Sequence, residues 1–216
     1  EGGEVPALDG SAKPFVSLLY AAGKVTQPVP RHPIIITDPI RIGDESRWLQ
    51  ILPGNGFRIS YTLDLDHPAV GTQTASFACS EQVFVEELAS ARTYGFLKDV
   101  GALRKNGLAK GGSLDNAVVV GRRAILNESL RFHDEFVRHK ILDLIGDLTL
   151  LGRPLVGHVV ARNAGHFLNH QLIHAIQEAV RLAERPLVRG LTRSVNRLRE
   201  APRRDGLEPL TGVAAL

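Results

Sequence analysis

Residues 136 to 148 set apolar side chains at 136, 141, 142, 144, 145 and 148, with no proline and one late glycine. That spacing covers most of a helix circumference and predicts a helix buried nearly all round. The polar residues left inside it fall in register. His139, Asp143 and Asp147 follow at steps of four and form a column on one helical face. A carboxylate buried without a partner is unfavourable. An imidazole and a carboxylate one turn apart either pair with each other or share a divalent metal.

Elsewhere the period shifts to two. Residues 34–37, 48–52 and 57–65 read as strands in antiparallel hairpins, with Gly54, Asn55 and Gly56 as the turn between the last two. Residues 74–78 continue as a strand. Residues 81–91 read as helical, and so do those up to about Lys105, after an interruption at Thr93, Tyr94 and Gly95. A buried strand is predicted over 116–120 and another from Val156 to the turn at Asn163, Ala164 and Gly165, with a long helix starting at His166. A shorter helix over 11–23 opens on Ser11 and closes on Gly23. Strands come first and helices follow, the signature of an α+β fold. Prolines at 28, 30 and 33 mark a linker over residues 25–33, with the following domain spanning 34–184 and a basic, flexible tail over 185–216.

Composition narrows the chemistry. A chain of 216 residues has room for a core that needs no covalent staple. Its one cysteine, Cys79, excludes an internal disulfide and a cysteine-based zinc site, so a metal has to be held by histidines and carboxylates. No apolar run approaches the roughly 20 residues that span a bilayer, and no signal peptide is visible. The expectation is a soluble, cytoplasmic protein without a transmembrane segment. The lack of any methionine and the opening at Glu1-Gly2-Gly3 point to a chain with material missing upstream. Between Arg181 and Arg204 eight arginines and two glutamates carry +6 of the formal net charge of +3, which leaves −3 on the rest. The arginines at 181, 185, 189, 193 and 197 recur every four residues, but Pro186 and Gly190 argue against one continuous helix.

Four runs taken in order, SARTYGFLKDV (90–100), GLAKGGSLDNAVVV (107–120), RHKILDLIGDL (138–148) and NAGHFLNHQL (163–172), resemble the zinc-dependent UDP-3-O-acyl-N-acetylglucosamine deacetylases of lipid A biosynthesis. The resemblance extends from about Val5 to about Glu178. It implies a two-domain protein in which two sheet-and-helix units pack helices to helices. Residues 1–24 would be the end of the first unit and 34–184 the second. It also implies a Zn2+ cofactor held by His139 and Asp143, and an Asp147–His166 pair that favours the protonated imidazole and so acts as acid and oxyanion stabiliser. Thr93 is implied as an oxyanion donor. Lys140 and Arg47 are implied as contacts to the UDP-linked acylated amino sugar, and the segments around Tyr94, Phe96, Ala109, Gly112 and Ser113 as an acyl passage. Tyr94 and Ala109 stand where relatives commonly have phenylalanine and cysteine. The family's third ligand and glutamate base lie in an H-x-x-E-H motif of the first domain, which this sequence lacks. The implied partners are therefore the nucleotide sugar and that missing first domain, with no nucleic acid. The competing reading is a non-enzymatic half-domain that binds a nucleotide sugar, or an acidic partner through its arginine-rich tail. The remaining histidines at 32, 67, 133, 158, 170 and 174 read as solvated or structural.

Overall fold

A computed structural model describes residues 6–199, with side chains as far as 183. The chain divides after Gln177. The first unit begins with helix α1 (Lys13–Ala22), closed by Gly23 at φ +80°. It continues through strands β1 (Ile34–Ile35), β2 (Ile40–Gly43), β3 (Trp48–Leu52), β4 (Phe57–Asp64) and β5 (Thr72–Ala78). Helix α2 (Glu81–Val83) runs into a π-helical turn, Phe84–Leu88. Strand β6 (Tyr94–Phe96), helix α3 (Leu97–Lys105) and strand β7 (Val118–Val120) follow. Helix α4 (Glu135–Leu148), strand β8 (Leu155–Arg162) and helix α5 (His166–Arg199) complete the order. Among the described residues no helix is long and apolar enough to cross a membrane.

The architecture is α+β, with one mixed sheet in the order β2-β3-β8-β4-β5 and β1 added in parallel at the start of β8. Strict alternation lays Leu49 and Ile51 of β3, Ile59, Tyr61 and Leu63 of β4, and Val159 and Ala161 of β8 on the buried face. Phe136, Val137, Ile141 and Leu144 of α4 fill the same core, with Leu172, Ile173 and Ile176 of α5, and α4 lies against β4 and β5. Of residues 135–148 only Gly146 is exposed, so the all-round burial predicted for this helix holds.

Two sequence expectations need correction. Strands β3 and β4 are not a hairpin: β8 lies between them, antiparallel to β3 and parallel to β4. The glycines read as a turn instead let the chain cross over β8. A Cβ on Gly54 would come within 3.3 Å of the Gly157 backbone, and the Gly157 N–H donates to the Gly56 carbonyl at 2.9 Å. The two hairpins that do form are β2-β3 and β4-β5. The second correction concerns α5, which runs through Pro186 and Gly190 to Arg199. The surrounding Leu, Arg, Ala and Glu are strong helix formers, and one proline takes away a single N–H and bends a helix without having to end it. The rest of the expected tail, residues 200–216, lies outside the described residues. The second unit starts at Glu178, which pairs with Arg181 at 2.6 Å.

Candidate active site

Helix α4 carries the centre of the site. His139 is 8% exposed, and its Nδ1–H donates to the Ala91 carbonyl at 3.0 Å. Because a carbonyl can only accept, Nδ1 holds the ring proton and Nε2 is left for another partner. Nε2 stands 3.3 Å from Asp143 Oδ1, and the second oxygen of Asp143 accepts from Lys140 Nζ at 2.6 Å. With Nε2 protonated the two groups form an i,i+4 ion pair, and with Nε2 bare they set two donors on a space that suits a cation. Two ligands on a tetrahedral zinc, with bonds of about 2.1 Å, lie about 3.4 Å apart, so the donor set and its spacing fit two positions of such a site. Among the described residues no group of three or more His, Cys, Asp or Glu side chains is placed to hold a metal. His139 and Asp143 offer two ligands where a catalytic zinc takes three protein ligands.

One turn on, Asp147 accepts from His166 Nδ1 at 2.7 Å and from Asn169 Nδ2 at 2.8 Å, both on Oδ2. His170 Nε2 approaches Oδ1 at 3.6 Å. His166 is held at the first position of α5 by the turn before it. Asn163, at φ +47°, donates its N–H to the Thr62 carbonyl and accepts the Asp64 N–H on its side chain at 2.7 Å, and Tyr61 donates to the Ala164 carbonyl. His166 Nε2 lies 3.9 Å from Asp143 Oδ2. The His139–Asp143 and Asp147–His166 pairs are therefore neighbours. His166 also lines a cavity of about 360 Å³ with Asp44, Arg47, Asn163, Gly165 and Phe167, and that cavity brings Arg47 to the same mouth.

The predicted site residues on the other elements are distributed unevenly. Thr93 is exposed, its N–H bonded to Gly10 and its carbonyl to Val118, one residue before β6. Tyr94 follows it, with its ring 5.0 Å from Phe136 and 6.3 Å from His139. Burial, and after it the charge of Asp143, push the Tyr94 hydroxyl up, so it stays neutral. Phe96 packs on the His67 ring at 5.6 Å. Strands β6 and β7 pair in parallel around α3. Ala109, Gly112 and Ser113 lie in the exposed connection between α3 and β7, where their hydrogen bonds are local, and Ala109 takes the left-handed backbone at φ +51°. His67 is structural, as read from the sequence: Nδ1 accepts the Ala69 N–H, and Nε2 donates to the Gly121 carbonyl at 2.9 Å.

Sequence reasoning passed over Asn169 and His170, although their offsets of three and four from His166 place all three on one helical face. Asn169 is buried, and its Oδ1 has no hydrogen-bond partner among the described side chains.

Residues 1–178 match the UDP-3-O-acyl N-acetylglycosamine deacetylase family. A UDP-3-O-acyl-N-acetylglucosamine deacetylase of Acidithiobacillus ferrooxidans is 49% identical over 179 residues, which cover 82% of this chain and 59% of the relative. The Myxococcus xanthus protein of the same name is 46% identical over 177 residues, covering 82% and 56%. A third, from Psychrobacter cryohalolentis, is 48% identical over 176 residues, covering 80% and 55%. The chain belongs to this deacetylase family, and it spans less than two thirds of the length of these relatives.

Proposed function

We propose that this chain carries one half of the apparatus of a zinc-dependent amide hydrolase that removes acetate from UDP-3-O-(3-hydroxyacyl)-N-acetylglucosamine, the committed step of lipid A biosynthesis. One observation carries the reading: a His–Asp pair suited to a metal and a His–Asp pair suited to proton transfer sit side by side, 3.9 Å apart at His166 Nε2 and Asp143 Oδ2. The relatives named for this reaction support it.

His139 Nε2 and Asp143 Oδ1 would hold the zinc, with the third ligand and the glutamate base supplied by a first domain that bears the H-x-x-E-H motif. Zinc, when bound, polarises the acetamide carbonyl and activates water. Asp147 orients His166 through Nδ1, and Asn169 holds Asp147 in turn. His166 keeps a proton on Nε2 for the amine that leaves as the C–N bond breaks and acetate forms. Thr93 donates its hydroxyl to the oxyanion of the tetrahedral intermediate. Arg47, at the cavity mouth beside His166, meets the diphosphate. Lys140, bonded to Asp143, presents its charge to substrate oxygens from there. The β6-α3-β7 unit, with Tyr94, Phe96 and the Ala109–Ser113 connection, borders the acyl chain; Leu97, Leu108 and Leu114 in this unit are exposed.

The test is acetate release from the acylated UDP-sugar by a protein that joins this sequence to a first domain. Release should stop with a chelator and return with zinc. A zinc-reloaded protein that releases no acetate, or releases it equally well as His166→Ala, contradicts the reading.

A further inference from the structure

Arg92 and Glu135 are buried, at 8% and 1% exposure, and the chemistry above uses neither. Glu135 heads the column that His139, Asp143 and Asp147 continue along α4. Its carboxylate is filled by four donors. Oε1 accepts from Arg92 Nε and from the Arg92 backbone N–H, both at 2.9 Å. Oε2 accepts from Arg92 Nη2 at 3.1 Å and from the Arg131 N–H at 2.7 Å. Arg92 Nη2 also donates to the Ser129 carbonyl at 2.9 Å. A carboxylate that grips the side chain and the peptide of the same residue fixes the backbone there. The flanking residues are the ones that matter to the site: the Ala91 carbonyl takes the His139 Nδ1–H, and Thr93 follows.

Net stability alone is a weak reason for this arrangement. A buried ion pair contributes little net stability compared with apolar residues of the same volume, whereas a fixed partner on the far nitrogen is what sets the tautomer of a metal-ligating imidazole. We infer that Arg92 and Glu135 form a positioning pair that presses the Ala91 carbonyl onto His139, holds the imidazole in its Nδ1–H tautomer with Nε2 open to a divalent cation, and with the same grip places Thr93. The inference deepens the proposed function and rests on His139 as a ligand.

The test uses the 216-residue chain labelled with 15N-histidine, at alkaline pH where the imidazoles are neutral. Long-range 1H–15N correlations read the tautomer of each ring, and His139 is assigned by the signal lost in His139→Gln. The Nδ1–H form should predominate in the parent chain. Glu135→Gln keeps the shape but turns an NH2 group on converging donors, and should shift His139 to a mixture of tautomers. The Co2+ concentration that broadens the His139 signals should rise about 10-fold or more, as for other partners behind metal ligands. Arg92→Lys, which keeps the charge and loses the fork, should fall between the two. A lowered thermal midpoint with tautomer and Co2+ response unchanged makes the pair a core staple and overturns the inference. If Glu135→Gln does not fold, an unchanged tautomer in Arg92→Lys overturns it equally. A parent chain with His139 protonated on Nε2 sinks the ligand reading itself, a result distinct from the other two.

Discussion

His139 Nε2 faces Asp143 Oδ1 across 3.3 Å while the opposite ring nitrogen is committed to the Ala91 carbonyl. The gap between the two donors suits a cation, and each donor is one of three protein ligands in the proposed centre. Replacing either residue by alanine in a protein complete with its first domain should remove most of the bound zinc, measured by elemental analysis of the purified variants. Stoichiometric zinc in both variants would mean that the column on α4 is an ion pair and no more.

In the proposed reaction His166 meets the leaving amine and Asp147 acts through His166, so loss of His166 should separate turnover from metal content. His166→Ala is expected to lower kcat by about 10²–10⁴-fold, the usual contribution of a positioned acid, and to leave zinc in place. Asp147→Asn should lower kcat too, and the double variant should be little worse than the worse single one, because the two residues work as a unit. Zinc loss in His166→Ala would move that imidazole into the ligand set.

What the sequence discloses of this site follows from distance along the chain. The column at 139, 143 and 147 is legible because a step of four is a property of the helix that carries it. The place of β8 between β3 and β4 is not, because pattern reading favours neighbours, and the cause is a close approach of Gly54 to Gly157, about a hundred residues apart. Glu135 escapes notice because an acidic residue in the first turn of a helix ordinarily does no more than complement its dipole in solvent. Only the fold shows that Arg92 is its partner. Asn169 and His170 share a helical face with His166 in the sequence alone, but their common partner, Asp147, becomes visible only when α4 and α5 are set together.

The Arg92–Glu135 pair also predicts a pH dependence of stability. Burial pushes the Glu135 carboxyl up, but the hydrogen bonds from the Arg92 side chain and from the Arg92 and Arg131 N–H groups outweigh it, and the net shift is below the ordinary 4.5. A lowered folded-state value means that the unfolded chain binds the proton more readily. The pair's contribution is therefore complete above about pH 4.5 and is lost as the pH falls through the lower folded value. Urea midpoints of the parent chain should decline over that acidic window. Glu135→Gln should be less stable at neutral pH, by about 3–5 kcal/mol, and should lack this part of the decline. Parallel acid profiles would assign the decline to other carboxylates.

The division after Gln177 leaves every proposed catalytic group in the first unit. Trimming the chain after residue 184, in a protein complete with its first domain, should leave kcat/KM within about three-fold and alter only salt-dependent adhesion to polyanions. A large loss of turnover with the fold retained would give the arginine-rich segment a part in substrate closure.

The chain by itself should be inactive. It holds two proposed ligands, an acid and an oxyanion donor, but no H-x-x-E-H motif to supply the third ligand and the base. Loss of a single member of such a set removes orders of magnitude of rate, and here two are missing. Helix α1 has no buried residue, and Leu18 and Leu19 are 67% and 70% exposed. An apolar surface of that kind draws proteins together, so the isolated chain should associate with rising concentration in sedimentation velocity. Leu18→Glu with Leu19→Lys should reduce that association and leave the circular dichroism unchanged. A separately made first domain, added to the chain, should restore zinc-dependent acetate release. Unaided deacetylation by the purified chain would require a local group to complete the site. His67 is excluded from that part because both of its nitrogens are engaged, with Ala69 and Gly121. His170, half-exposed and 3.6 Å from Asp147, would be the residue to replace first.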